Sequence, residues 1–217
     1  MRKSPFIGYY GYWVVLTYLS VLSAVVGIFF AFNGNLLISV ICLMISGLCD
    51  TFDGWVASKK DMDNLQVNYG IQIDAMADLI SFGVLPATML FSLGQNYDGL
   101  AGIVVIIIPG IYVLAALIRL AYFNATKAAQ KGDNTREYFE GLPTTSVALF
   151  TPIVLSVCNV FQVPFFPVFS AMLAVVSVLF VLRTKVPKPR MKEQIILCLV
   201  GLIILIALHI IRGLISG

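Results

Sequence analysis

The sequence predicts an all-α, polytopic integral membrane helix bundle with six core transmembrane helices and a seventh. The composition is the first reason: 59% of the 217 residues are hydrophobic and 12% are charged, whereas a soluble domain is about 45–50% apolar and about 25% charged. The mean hydropathy is +0.95. Long apolar runs and a one-sided distribution of basic residues are the other two reasons. We expect residues 1–217 to form a single membrane domain.

The apolar runs define the predicted spans. A membrane-crossing helix requires about 20 predominantly apolar residues. The apolar run of the first span is too long for a signal peptide, so we expect that span to be retained. Pro143, near the start of the fifth, suits the first turn of a helix. The predicted spans are 9–32, 35–57, 70–93, 100–123, 142–159, 164–182 and 194–214.

The basic residues indicate the orientation, because lysines and arginines are concentrated in cytoplasmic loops. Counting along the predicted spans places nearly all of them on one side, with Arg212 as the exception. We therefore expect a multi-pass protein of the cytoplasmic (inner) membrane with its N-terminus inside and its C-terminus outside. The residues on the cytoplasmic side are Arg2, Lys3, Lys59, Lys60, Arg119, Lys127, Lys131, Arg136, Arg183, Lys185, Lys188, Arg190 and Lys192.

Four aspartates lie against or inside the second and third apolar runs. Asp50 and Asp53 are three residues apart, and Asp74 and Asp78 are four apart, so each pair shares one face of a helix. The loop between the two spans is short, which predicts antiparallel neighbours with the four carboxylates converging near the cytoplasmic edge. A single Asp deep in a span costs about 2.5–3.5 kcal/mol, so positive charge must offset this cluster.

Two sources of positive charge are open. Lys59, Lys60 and Arg119 could neutralise the aspartates as a structural network. Alternatively, divalent cations could bind there, since hard cations prefer carboxylate oxygens. The four cysteines, Cys42, Cys49, Cys158 and Cys198, lack metal spacing, so we expect no zinc and no disulfide. The carboxylate set favours Mg²⁺ or Mn²⁺, and two ions would be well served by four shared carboxylates.

Small residues accompany the aspartates. Gly54 and Ala57 follow Asp53 on the same helix, and Gly70 lies four residues before Asp74. Glycine at such positions commonly serves helix packing or a turn. Beside a metal cluster it would also leave room for a ligand against the backbone.

These residues carry a family resemblance. The pattern D-x2-D-G-x2-A from Asp50 to Ala57, followed by G-x3-D-x3-D from Gly70 to Asp78, resembles the signature of the CDP-alcohol phosphotransferases. The stretches "YGIQIDAMADLISFGVLPA", "IRLAYFN" and "YFEGLPTTSVAL" resemble the phosphatidylserine synthase branch of that family. One position departs from the pattern: the family has Arg after the Ala, whereas Ser58 stands here, followed by Lys59 and Lys60.

The resemblance implies a reaction in which the phosphatidyl group of CDP-diacylglycerol passes to L-serine, giving phosphatidylserine and CMP. It implies that Asp50, Asp53, Asp74 and Asp78 are metal ligands and that Asp78 also takes the proton of the attacking hydroxyl. The residues implied for CDP and diphosphate binding are Gly54, Ala57, Lys59, Lys60 and Gly70. The candidates for acceptor binding are Arg119, Asn124, Gly141, Pro143, Thr144 and Thr145. The partners expected are these substrates, the lipid bilayer and a second copy in a homodimer, with no nucleic acid.

Other functions fit parts of the pattern. The acceptor could be glycerol 3-phosphate or inositol phosphate, but a phosphorylated acceptor would favour more basic residues near the site. An ether-lipid donor is a further alternative. A cation transporter would also need intramembrane carboxylates, although it would place them near the midplane on broken helices. A structural membrane protein with a vestigial site is the last alternative, to which Ser58 is the only pointer.

Overall fold

The computed structural model describes residues 7–95, 97–129, 138–183, 185–187 and 201, and these form a helix bundle. Its helices are α1 (Tyr12–Phe32), α2 (Leu36–Ala57), α3 (Asn64–Asp78), α4 (Leu85–Gly94), α5 (Leu100–Ala129), α6 (Val147–Phe161) and α7 (Phe165–Val181). A π-helical segment, Leu79–Val84, joins α3 to α4, and a 3₁₀ turn, Thr144–Ser146, precedes α6. The predicted all-α membrane class is confirmed.

Among the described residues, five continuous helices are long and apolar enough to cross a membrane, and α7 is a shorter apolar helix at the sixth predicted span. The seventh predicted span, 194–214, lies outside the described residues except for Gly201, which is helical. Several residues behind the predicted orientation also lie outside them: Arg2, Lys3, Lys131, Arg136, Lys188, Arg190, Lys192 and Arg212. Cys198 lies outside them as well, whereas Cys42, Cys49 and Cys158 are free thiols.

Helices α1 and α2 pack closely through small residues. A Cβ on Gly27 would lie 2.9 Å from the Cβ of Cys42, so the glycine lets the two backbones approach. The Ser39 hydroxyl donates a hydrogen bond to the Gly27 carbonyl at 2.9 Å, and the Ser46 hydroxyl donates to the Ser20 carbonyl at 2.9 Å. Small residues and interhelical hydroxyl bonds are the usual means of helix association in membranes.

The third span differs from its predicted start at residue 70. It begins at Asn64 because Asp63 caps the helix, its carboxylate accepting a hydrogen bond from the Gln66 amide at 2.7 Å. From there it continues through the π segment to Gly94, a helical run of 31 residues. The polar first turns therefore extend the helix beyond its apolar part and place Asp74 and Asp78 well inside a helix rather than near its end.

The apolar core lies around the second half of this span. Phe82, Leu85, Met89 and Phe169 are fully buried, and the buried Tyr112 hydroxyl donates a hydrogen bond to the Phe82 carbonyl at 2.5 Å. That carbonyl belongs to the π segment, where the regular helical hydrogen bonding changes. The core thus fixes the segment that immediately follows Asp78.

Two short strands add to the predicted all-α bundle. Tyr138–Glu140 pairs antiparallel with Lys185–Pro187, with Phe139 opposite Val186. The pairing brings the segment before α6 against the segment after α7. It thereby sets the approach of the chain to the 3₁₀ turn that carries Thr144.

Candidate active site

Three of the four predicted aspartates form one carboxylate cluster. Carboxylate oxygens of Asp50, Asp74 and Asp78 lie within 4.8 Å of one another, and all three residues are half-buried. Asp50 comes from α2, while Asp74 and Asp78 lie one turn apart on α3. The helical spacing of the second pair and the short α2–α3 connection together bring about this meeting.

Asp53 stands beside this cluster rather than within the three-residue group. It is buried, and its Oδ2 accepts a hydrogen bond from the Thr17 hydroxyl of α1 at 2.9 Å. Asp50 and Asp53 are offset by roughly 60° around α2, and the difference between them is one of partners: Asp53 is bonded to Thr17 of α1, whereas Asp50 meets the carboxylates of α3. Four carboxylates were expected to converge. Three of them form the cluster, and the fourth, Asp53, is bonded to the neighbouring helix α1.

The donor set of the cluster fits a hard divalent cation. All three groups offer carboxylate oxygen, which Mg²⁺, Mn²⁺ and Ca²⁺ prefer. Asp50, Asp74 and Asp78 would hold such an ion, with Asp53 as the adjacent carboxylate. The chemistry of these ligands does not distinguish Mg²⁺ from Mn²⁺.

A cavity of about 220 Å³ adjoins the cluster. Two of the aspartates, Asp53 and Asp74, line it together with the small residues Gly54, Ala57 and Gly70. A Cβ on Gly54 would meet no atom within 4 Å, so this glycine leaves its backbone open to the cavity. The structure thus brings together the predicted small residues and two of the predicted carboxylates.

Helix α1 supplies cavity residues that the sequence analysis missed, notably Trp13 and Thr17. Trp13 also packs against Gly70, whose Cβ would lie 3.3 Å from the Trp13 ring. No spacing pattern links α1 to the aspartates, since the two meet only through the packing of α1 on α2 and α3. The available signal was weak: Thr17 is one of three aliphatic hydroxyl residues in a mostly apolar span, together with Ser20 and Ser23.

The two predicted lysines take different positions. The Lys59 ammonium lies 3.2 Å from the centre of the Trp55 ring, and Trp55 is half exposed. The Lys60 ammonium lies 5.1 Å from the centre of the ring of Trp13, a residue that lines the cavity. Ser58 ends the helix, and its hydroxyl donates a hydrogen bond to the Trp55 carbonyl at 2.8 Å.

On the other side of the cluster, Arg119 and Thr144 approach Asp78. The Arg119 Nη1 donates to the Thr144 hydroxyl at 3.5 Å, and that hydroxyl donates to Asp78 Oδ2 at 3.5 Å. Arg119 and Thr144 are both buried, and the Arg119 Nε has no hydrogen-bond partner within the described part of the chain. A buried guanidinium with an unused donor is suited to binding an anionic group.

The other predicted acceptor residues have less direct positions. Gly141 has φ +81°, and a Cβ there would lie 3.3 Å from the Phe180 carbonyl oxygen, so it forms a tight turn against α7. The Pro143 carbonyl accepts a hydrogen bond from the Ser146 hydroxyl at 2.6 Å. Thr145 and Asn124 are half-buried. Of the six candidates, Arg119 and Thr144 are the two that the hydrogen bonds connect to Asp78.

Comparison with known proteins places nearly all of this site within one family. The model of the CDP-alcohol phosphatidyltransferase family matches residues 14–182. These residues include the cluster, most of the cavity lining and the Arg119–Thr144 pair.

Several characterised proteins are similar to the chain. The archaetidylserine synthase of Methanothermobacter thermautotrophicus is 26% identical over 176 residues, covering 81% of this chain and 68% of that protein. The CDP-diacylglycerol–serine O-phosphatidyltransferase of Saccharomyces cerevisiae is 38% identical over 113 residues, covering 49% and 37%. That of Helicobacter pylori is 27% identical over 143 residues, covering 64% and 55%. The chain therefore spans little more than half of the bacterial relative and less of the yeast one.

The family match covers well over half of the chain and contains every predicted site residue. The protein is thus a multi-pass membrane member of the CDP-alcohol phosphatidyltransferase family.

Proposed function

We propose that the protein transfers the phosphatidyl group of CDP-diacylglycerol to L-serine and releases CMP. The observation that carries the proposal is the position of Asp78. Its carboxylate belongs to the three-carboxylate cluster on one side and accepts a hydrogen bond from Thr144, the partner of Arg119, on the other. A single carboxylate thus lies between a donor cavity and a cationic acceptor position.

The donor would bind on the α1–α2–α3 side. Its cytidine and ribose would occupy the cavity at Gly54, Ala57 and Gly70, where a bare glycine backbone leaves space. Its diphosphate would lie at the membrane boundary, because its acyl chains remain in lipid. Asp50, Asp74, Asp78 and the adjacent Asp53 would hold divalent metal. A bound cation would offset the charge on the diphosphate and on the departing CMP.

The transfer would be a substitution at phosphorus. The serine hydroxyl oxygen forms a bond to the phosphorus that bears diacylglycerol, and the bond from that phosphorus to the CMP oxygen breaks. Asp78 accepts the hydroxyl proton as general base. The Thr144 hydroxyl, which donates to Asp78 Oδ2, would keep that carboxylate oriented toward the acceptor.

The acceptor would be selected by Arg119. Its buried guanidinium has an Nε donor without a partner among the described residues. A serine carboxylate supplies the two oxygens that such a fork binds well. A phosphorylated acceptor would call for further basic groups. Within the described residues, the Lys59 and Lys60 ammonium groups lie over Trp55 and Trp13 instead.

The remaining expectations belong to the same proposal. The metal would be Mg²⁺ or Mn²⁺, with two ions as the preferred number. The protein would be a homodimer in the cytoplasmic membrane with this site facing the cytoplasm. The similarity to an archaetidylserine synthase makes an ether-linked donor lipid the specific alternative to diacylglycerol.

The test is CMP release by the purified protein in lipid–detergent micelles. Ester- and ether-linked CDP-lipids would each be combined with serine, glycerol 3-phosphate, inositol phosphate or no acceptor. Each mixture would contain Mg²⁺, Mn²⁺ or a chelator. We expect metal-dependent CMP release when serine is the acceptor and none with the other acceptors. Comparison of the two donor lipids would establish which lipid backbone is used.

Other outcomes have definite meanings. Release with a phosphorylated acceptor would keep the chemistry and reject serine. Failure to release CMP under any condition, by protein that elutes as a single species, would reject the enzymatic proposal. Transport of the same cations into proteoliposomes would then favour the transporter alternative.

A further inference from the structure

The helix that carries Asp74 and Asp78 changes its hydrogen bonding directly after Asp78. Residues Leu79–Val84 are π-helical, and the Leu85 amide donates to the Ile80 carbonyl, five residues back. A π turn contains one residue more than an α turn. Because each residue of an α-helix accounts for roughly 100° of rotation, the extra residue changes the direction in which α3 presents its carboxylates relative to the buried face of α4.

Pro86 gives the chain a reason to break its regular helix here. It lies at the start of α4, and proline has no amide hydrogen. In a regular α-helix the amide of residue 86 would bond to the carbonyl of Phe82, four residues earlier, and the proline ring would also press against that carbonyl. Phe82 is completely buried, and a backbone carbonyl without a partner is unfavourable inside a membrane bundle. The Phe82 carbonyl therefore needs a donor from another helix.

Tyr112 of α5 supplies that donor. Its hydroxyl donates to the Phe82 carbonyl at 2.5 Å, and both residues are completely buried. The Tyr112 ring packs against Phe180 of α7, with the ring centres 5.6 Å apart, which restricts the direction of the hydroxyl. One turn farther along α5, the Ala116 Cβ would lie 3.6 Å from a Cβ on Gly83. Helix α5 thus holds the π segment at two successive residues.

A second anchor of the π segment comes from α1. The hydroxyl oxygens of Ser81 and Ser20 are 3.1 Å apart, and the Ser46 hydroxyl donates to the Ser20 carbonyl at 2.9 Å. All three serines are buried. Each is one helical turn from a residue of the site on its own helix, the pairs being Ser20 with Thr17, Ser46 with Asp50 and Ser81 with Asp78. These bonds therefore join α1, α2 and the π segment one turn from the carboxylate cluster.

We infer that the Tyr112 hydroxyl positions Asp78. It holds the π segment, and that segment sets the direction in which the Asp78 carboxylate meets the other two carboxylates of the cluster and the Thr144 hydroxyl. Ser81 is the second positioning residue of the same segment. Pro86 has the complementary role, because it removes the amide that would close the segment as regular α-helix. The inference rests on the proposed function in one respect, the binding of a divalent cation by the cluster.

The experiment measures the binding of Mn²⁺ itself, without substrates. Mn²⁺ would be titrated into the full chain in nanodiscs, and free Mn²⁺ would be followed by electron paramagnetic resonance. Tyr112→Phe removes the hydroxyl alone and keeps the ring against Phe180. We expect it to raise the Mn²⁺ Kd by about tenfold, as is typical when a group that orients a metal ligand is removed. Ser81→Ala should raise the Mn²⁺ Kd less, because the Tyr112 anchor remains.

Ser39→Ala is the matched control. The Ser39 hydroxyl is also buried and donates to a carbonyl of a neighbouring helix, that of Gly27, at 2.9 Å, but it lies about three turns along α2 from Asp50. Its loss should lower the thermal midpoint as Tyr112→Phe does and leave the Mn²⁺ Kd within about twofold of the parent. In an Asp78→Asn background, Tyr112→Phe should change the Mn²⁺ Kd by less than about twofold, because its effect passes through the missing carboxylate.

The inference is overturned if folded Tyr112→Phe binds Mn²⁺ as tightly as the parent does, or if Ser39→Ala weakens Mn²⁺ binding equally. Should Tyr112→Phe fail to elute as folded protein, Ser81→Ala would decide by the same comparison with Ser39→Ala. Failure of the proposed function would look different. Mn²⁺ binding would still depend on Tyr112, while the parent protein released no CMP with serine.

Discussion

The two sides of Asp78 are built in different ways. The side proposed to bind the donor, called the donor side below, takes its carboxylates and small residues from one stretch, Asp50 to Asp78, with fixed helical spacing. The side proposed to bind the acceptor, called the acceptor side below, takes Arg119 from α5 and Thr144 from the turn before α6. Thr144 donates to Asp78 directly at 3.5 Å, and Arg119 reaches Asp78 through Thr144. A site drawn from adjacent helix turns leaves a pattern in sequence. A site assembled from distant helices leaves single residues without a pattern.

The two sides also differ in charge. Acidic oxygens and bare backbone predominate on the donor side, where the positive charge is peripheral, at Lys60. On the acceptor side a buried guanidinium is central. This difference predicts that variants on the two sides will affect different substrates, and the following variants test that separation in order of decreasing effect.

The residue common to both sides should have the largest effect. Asp78→Asn removes the proposed proton acceptor and a metal ligand together, so we expect CMP release to fall by roughly 10²–10⁴-fold or more. The measurement is the initial rate at saturating CDP-lipid and serine. Asp61→Asn, which changes an exposed loop carboxylate, is the control and should stay within about twofold of the parent. Equal losses in the two variants would contradict the assignment of Asp78.

Arg119→Met tests the acceptor side alone. Loss of the buried guanidinium should lower kcat/KM for serine by on the order of 10²-fold, since truncating one member of a buried charged pair costs about 2–5 kcal/mol. The KM for the CDP-lipid should change little. Arg119→Lys should recover activity only partly, because an ammonium lacks the planar fork. An equal rise in both KM values would mean that the two sides are not separate.

Thr17→Val tests the donor side through Asp53. The variant removes the hydroxyl that donates to Asp53 Oδ2 at 2.9 Å. Hydrogen bonds to charged groups contribute about 1.5–3 kcal/mol, so we expect the KM for the CDP-lipid to rise by about tenfold or more. Thr17→Ser retains the hydroxyl and should restore most of the affinity. If the two variants behave alike, Thr17 acts only through packing.

Gly27→Ala should leave the KM values for both substrates unchanged and lower only the stability of the bundle. A Cβ there would lie 2.9 Å from the Cβ of Cys42, so α1 and α2 must separate slightly. Overpacking of this kind costs about 1–3 kcal/mol, which should lower the thermal midpoint by a few degrees. Gly110→Ala on α5, where a Cβ meets no atom within 4 Å, is the matched control. A stable Gly27→Ala protein would show that the α1–α2 contact is looser than described.

The spans and the aspartate cluster could be predicted from the sequence, for physical reasons. The bundle class and the first six spans follow because lipid requires about 20 apolar residues per crossing. The cluster of Asp50, Asp74 and Asp78 follows because residues four apart share a helix face. The predicted start of the third span was six residues late, since apolar content marks the part of a helix in lipid while Asp63 caps it farther out.

Other features needed the fold. The expectation for Asp53 changed because the packing of α1 supplies Thr17 as its partner. Lys59 and Lys60 are equivalent in sequence, yet their ammonium groups lie over different tryptophans. Gly141 was expected in the acceptor pocket, but its positive φ and the α7 carbonyls give it a turn.

By itself, the sequence determined that this protein is a helical membrane protein with a carboxylate site at one end of its second and third spans. Those properties depend on local composition and on the helical repeat, and both can be read along the chain. Tertiary structure alone decided that Trp13 and Thr17 line the cavity beside the aspartates and that Arg119 and Thr144 reach Asp78. These contacts depend on which helix faces pack together, and that choice is made by the whole bundle.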